Sequence, residues 1–141
     1  SHILLSHVLE HLGQNPDVFN SIIKELYRIC SNKALIDIRV PHPRHDDFLS
    51  DPTHVRPITL MTLHLYDKNQ NLRWEKERAA NTPLALIHNV NFVIKKVENR
   101  LDNKYITLIE NGTVKKEELN DLVLKYNNVV KEMKIIWEVI K

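Results

Sequence analysis

The sequence predicts an α+β domain: two N-terminal helices, a small three-stranded antiparallel sheet at 34–40, 58–66 and 72–78, and a long C-terminal αα-hairpin at 83–110 and 114–140. Three observations lead there. Arg56 to Ala80 holds two runs of β-forming residues, Ile58 to Tyr66 and Leu72 to Glu77, on either side of Asp67-Lys68-Asn69-Gln70-Asn71, whose residue types favour turns. Ala34 to Val40 alternates, with Ile36, Ile38 and Val40 on one face and Asp37 and Arg39 on the other. From Leu119 to Ile140, apolar residues recur at threes and fours, as on one side of a long helix.

At the N-terminus, Leu4, Leu5, Val8, Leu9 and Leu12 make a helical stripe over Ile3 to Leu12, with Gly13 as its C-terminal cap. The opposite face carries His7, Glu10 and His11. That order, His-x-x-Glu-His, is the one used by inverted zinc-protease motifs, in which two histidines bind zinc and the glutamate acts as base. A solvated polar face accounts for the same residues. Asn15 as N-cap and Pro16 at the first helical position open a second helix, with the stripe Phe19, Ile22, Ile23, Leu26 and Cys30 and an end near Ser31 to Lys33. The strand at 34–40 then stops at Pro41.

Pro41 to Arg56 is a long connection that concentrates His42, His45, Asp46, Asp47, Asp51 and His54, the residue types of a metal or acid–base site. Their spacing matches no closed metal site, so the sequence assigns no metal; His42, His45 and His54 are the residues to watch. Phe48 and Leu49 are expected to tuck back onto the sheet. In the hairpin that follows, closure between Asp67 and Leu72 sets Leu65 opposite Trp74 on the core side. The rival is a single helix from Pro57 to Ala80, disfavoured by β-branched Ile58, Thr59 and Thr62 and by the turn-forming run in its interior.

Thr82 and Pro83 open a third helix with Leu86, Val90, Val93, Val97 and Leu101 on one side. Asp102-Asn103 either kinks it or ends it, which leaves 104–110 as helix or strand. Asn111-Gly112 closes the segment, and Thr113 caps the last helix, whose seam is Leu119, Leu122, Tyr126, Val129, Met133, Ile136 and Ile140, broadened by Val123, Val130 and Trp137. At 1.5 Å per residue that helix is about 40 Å long and overhangs a domain of this size.

A chain of 141 residues, 43% hydrophobic and 27% charged, is long enough for one core without staples. The single cysteine, Cys30, forms no internal bridge and sits on an apolar face, which suits a buried reduced thiol and an intracellular setting, cytoplasmic or nuclear. No apolar run reaches membrane-spanning length. Residues 1–70 carry seven Lys/Arg against eight Asp/Glu and residues 71–141 thirteen against ten, too even to demand a polyanionic partner. With two glycines in all, a glycine-rich phosphate loop is absent.

No signature here names a function. The leading expectation is a single non-catalytic interaction domain, part of a larger intracellular protein or assembly, with no cofactor. It would dock a protein partner or form a homodimer through Leu122, Tyr126, Val129, Met133, Ile136 and Trp137 on the terminal helices. The alternative is nucleic-acid or acidic-surface binding through Lys95, Lys96, Arg100, Lys104, Lys115 and Lys116. A metal-dependent enzyme built on the His/Asp loop or on His7, Glu10 and His11 ranks third.

Overall fold

The computed structural model describes residues 1–141 as one four-stranded mixed sheet with seven α-helices and two short 3-10 turns. In chain order these are β1 (His2–Ser6), a 3-10 turn (Leu9–His11), α1 (Pro16–Ile29), β2 (Leu35–Pro41), α2 (Asp46–Leu49), α3 (Leu60–His64) and α4 (Lys68–Glu77). Then follow α5 (Leu84–His88), β3 (Phe92–Leu101), α6 (Asn103–Glu110), a 3-10 turn (Lys116–Glu118), α7 (Leu119–Lys125) and β4 (Val130–Val139). The spatial strand order is β1-β2-β4-β3: β1 runs parallel to β2, and β4 lies antiparallel to both β2 and β3. No helix is long and apolar enough to cross a membrane.

Two elements form as the sequence predicts. In α1 the Asn15 side chain accepts from Val18 N, Pro16 stands at the first position, and Phe19 and Ile23 are buried, with Cys30 buried and unpaired just beyond the helix. In β2, Ile36, Ile38 and Val40 have no measurable exposure and face α1 across the core. The segment 104–110 is helical, as α6.

Elsewhere the expected architecture is overturned. Residues 2–6 are a strand, not the start of a helix: Ile3 and Leu5 pack on the core while Leu4 is 54% exposed, an alternation that a helical stripe does not give. Pairing with β2 satisfies this backbone from outside the segment, so local spacing was a poor guide. Gly13 does follow a helical turn, at φ +62, where a Cβ would stand 2.6 Å from Phe19 N.

The expected hairpin at 58–78 is two helices, so neither 58–66 nor 72–78 is a strand and the Leu65–Trp74 pairing does not form. Of the run read as a turn, Asp67 is a helix cap and Lys68 to Asn71 are the start of α4. Asp67 accepts from Asn69 N and Gln70 N at the start of α4, and Thr59 and Thr62 make a reciprocal capping box at the start of α3. Buried Asn71, within α4, accepts from Ala85 N and donates to Leu65 O, tying α4 to α5.

The long C-terminal helical hairpin is absent. The helix opened at Pro83 ends after one turn at Asn89, in the left-handed region, and Phe92–Leu101 is β3. The last helix stops at Lys125, and Asn128, also left-handed, leads into β4. Met133, Ile135, Trp137 and Val139 are buried alternately along β4, a period of two that the three-and-four spacing had masked. Trp137 stacks on Phe92 with ring centroids 4.0 Å apart and meets the Tyr66 ring edge-on. β4 is interior to the sheet, so its apolar residues are spent on the domain's own core.

Candidate functional site

Because β1 and β2 are adjacent and parallel, the loops that follow them leave the sheet at the same end, where ligands collect in α/β folds. β4 is antiparallel to β2, so its first residues, Lys131 and Glu132, belong to that end too. The loop after β1 contributes His7, Glu10 and His11; the loop after β2 contributes His42 to His54.

His7 leaves β1 at φ +52, in the left-handed region uncommon for residues other than glycine, held by its N–H donating to Arg39 O at 2.8 Å. Its Nε2 lies 2.7 Å from Glu132 Oε2, and its Nδ1 lies 3.6 Å from Glu10 Oε1. The carboxylate of Glu132 fixes the ring through Nε2, and Nδ1, which makes no hydrogen bond, is turned toward Glu10. Glu10 is fully buried, and neither of its carboxylate oxygens has a hydrogen-bond partner in the protein. Its carbonyl accepts from Val55 N at 2.9 Å, which clamps the second loop onto the first.

Through that clamp His11 and His54 meet. Their ring centroids are 4.7 Å apart in an edge-on contact, and the His54 ring also stacks on Phe48 at 5.1 Å. His11 Nδ1 lies 3.1 Å from both Thr53 O and Thr53 Oγ1, and His54 Nδ1 lies 2.8 Å from Phe48 O. Phe48 is therefore half-buried against His54 and Leu49 is 58% exposed, so neither makes the expected return to the sheet core. Nearby, the Thr53 hydroxyl and N–H both donate to Asp51, holding its carboxyl below the usual range.

The other two loop histidines are placed apart. Buried His45 caps α2: its Nδ1 accepts from Asp47 N at 3.0 Å, and its Nε2 lies 3.0 Å from Asp102 Oδ2. That contact, with a second hydrogen bond from Lys104 N, holds the Asp102 carboxyl below its ordinary value. Both ring nitrogens of His45 are thus spent on structure. His42 lines a cavity of about 420 Å³ with Arg44, Thr59, Asn99 and Met133. Burial, with Arg44 and His45 nearby, lowers its pKa, and its Nδ1 accepts from Arg44 N, so Nε2–H is its remaining donor. His42, His45 and His54 form no common site.

The expected docking stripe is dispersed. Val129, Met133 and Trp137 are core residues, Ile136 is half-buried in β4, Leu122 is half-buried on α7, and Tyr126 is 55% exposed in the loop after it. The lysine set is likewise divided: Lys95, Lys96 and Arg100 on β3, Lys104 on α6, Lys115 and Lys116 beyond it. Lys95 pairs with Glu138 and Lys96 with Glu98. The meeting of Glu10, His11 and His54 was missed because the two motifs lie more than forty residues apart. Reading Ile3 to Ser6 as a strand parallel to β2 would have joined them.

No protein-family model matches the chain, and comparison with curated proteins finds no match. Among solved structures the chain is similar to a SAM-dependent methyltransferase from Archaeoglobus fulgidus, with a TM-score of 0.56 and 19% identity. The likeness covers 97% of this chain and 58% of that one. At this identity what is shared is the fold. That shared fold has no coiled coil or helical hairpin, so the helices through which the non-catalytic docking domain and its lysine-face alternative were expected to act do not exist, and the neighbour that shares the fold is itself an enzyme.

Proposed function

We propose that this chain is the acceptor-facing part of a methyltransferase-type enzyme, one that moves a methyl group from S-adenosylmethionine to an oxygen or nitrogen nucleophile. The observation that carries the reading is the His7–Glu132 pair, set at the carboxyl end of β1 where the backbone turns into the left-handed region. A histidine oriented by a carboxylate at one nitrogen, with no hydrogen bond at the other, is suited to take a proton from an attacking hydroxyl or amine. The side chain of His7 is 49% exposed, which gives a substrate access to it. At the same end of the sheet the cavity lined by His42, Asn99 and Met133 offers an apolar wall and a few polar groups, the usual make-up of a small-molecule pocket.

These residues do not build a cradle for the methyl donor. Gly13 is packed against the backbone of Phe19, and Gly112, at the end of α6, faces open space. No other glycine is present to let a backbone approach a nucleotide. The chain spans 58% of the methyltransferase it resembles, and the proposal places the donor on residues outside these 141, in a longer protein. An intracellular setting is proposed with it, on the buried, unbridged Cys30.

The test is transfer of tritiated methyl from S-adenosylmethionine to a panel of hydroxyl and amine acceptors by the protein that carries this chain. Loss of a positioned base in His7→Gln should reduce transfer by about 10²–10⁴-fold with the fold retained. A protein that neither binds nor consumes the donor would refute the proposal, and undiminished transfer by the variant would remove His7 from its role.

A further inference from the structure

We infer that Glu10, His11 and His54 form a binding site for one divalent transition-metal ion, with zinc as the probe. One ligand atom from each residue lies within 4.8 Å of the other two, and Glu10 Oε1 and His11 Nε2 are 3.9 Å apart. Around a tetrahedral ion with ligand bonds of about 2.0–2.1 Å, donors stand roughly 3.4 Å apart, so small side-chain rotations close the set.

Two independent features point the same way. The first is the state of Glu10. Its side chain is 1% exposed and both oxygens lack a hydrogen-bond donor; the nearest ring nitrogens, on His7 and His11, stand at 3.6 and 3.9 Å. An isolated buried carboxylate is strongly destabilising unless a cation compensates it. The second is the tautomer of the two histidines. Thr53 O and Phe48 O are carbonyls and can only accept, so His11 and His54 each carry a proton on Nδ1, and in the neutral ring that binds a metal the lone pair is then on Nε2. A ring N–H donating to a backbone carbonyl, with the other nitrogen left free, is how metal-binding histidines are held in position.

Two imidazoles and one carboxylate form a donor set used for zinc and for ferrous iron at sites that keep open positions. Asp51 Oδ2, 3.7 Å from His54 Nε2 on the exposed side, is placed to bond the ion's water or to act as a fourth donor. The sequence joined Glu10 and His11 to His7 as one helix face. The fold instead bonds His7 through Nε2 to Glu132, leaving its Nδ1 3.6 Å from Glu10, and adds His54 to Glu10 and His11.

The site does not depend on the methyl-transfer reading, and the test separates them. The chain, stripped with a chelator and dialysed, is titrated with zinc by calorimetry and then examined by X-ray absorption. Expected are one ion per chain, a raised thermal midpoint, and a first shell of two imidazoles plus oxygen at about 2.0–2.1 Å. Glu10→Gln and His54→Ala should each weaken binding at least about tenfold, while His88→Ala, remote from the site, leaves it unchanged. No saturable zinc uptake by the wild type overturns the inference, as does binding that survives both variants. If a variant fails to fold, the absorption spectrum of the wild type decides, and a shell without two imidazoles is equally fatal. Zinc binding without methyl transfer refutes only the functional reading, and methyl transfer by a protein that takes up no metal refutes only this one.

Discussion

Trp137 distinguishes a strand at the centre of the core from a helix seam turned outward. It has no exposed surface, stacks on Phe92 at 4.0 Å and 13°, and sits 6.0 Å from the Tyr66 ring. Truncating a buried aromatic to alanine costs about 3–5 kcal/mol, and two aromatic partners place Trp137→Ala near the upper end. With a urea m-value of about 2 kcal/mol/M, that is a fall of about 2 M in the unfolding midpoint. The indole N–H adds a second, opposite prediction: buried without an acceptor, it already carries a desolvation penalty. Trp137→Phe removes that orphan donor while keeping the stack, and should cost less than about 2 kcal/mol. Urea titrations followed by far-ultraviolet circular dichroism measure both. A Trp137→Ala protein with the wild-type midpoint would refute the placement of β4 in the core; a phenylalanine variant as damaged as the alanine one would refute the account of the indole N–H.

Two other substitutions probe the scaffold of the site. Asp102, whose folded pKa lies below its ordinary value through His45 and Lys104 N, contributes stability above the unfolded carboxyl value of about 3.9 that is lost as pH falls through the folded pKa. Asp102→Asn keeps an N-cap for α6 but loses that charge, so its thermal midpoint should lie below wild type at pH 6 and converge with it toward pH 3; a pH-independent gap would contradict the His45–Asp102 pairing. Gly13→Ala combines a positive φ with a Cβ 2.6 Å from Phe19 N, whereas Gly112→Ala meets only the positive φ. The first should lose more than about 2 kcal/mol and the second about 1 kcal/mol by thermal unfolding, and the reverse order would show the turn before α1 to be misplaced.

The sequence by itself determined the elements whose signals are local. Asn15-Pro16 and the stripe through Phe19 and Ile23 define α1 because cap, proline and amphipathic face all lie within one segment. The alternation in β2 and the buried fate of Cys30 were legible for the same reason. Asp67 was correctly seen as a boundary residue but assigned to the wrong boundary, since the side-chain bond that makes an Asx turn also caps a helix, whereas Thr59, read as strand interior, is a cap as well. Only the tertiary structure decided β1, β3 and β4, because each strand's backbone is satisfied by a partner distant in sequence. Met133 to Val139 fits a helical seam or an alternating strand until β2 and β3 are beside it. The candidate site has the same origin. Glu10, His11 and His54 carry no joint signature along the chain, and come together because two adjacent parallel strands release their loops at one end of a sheet.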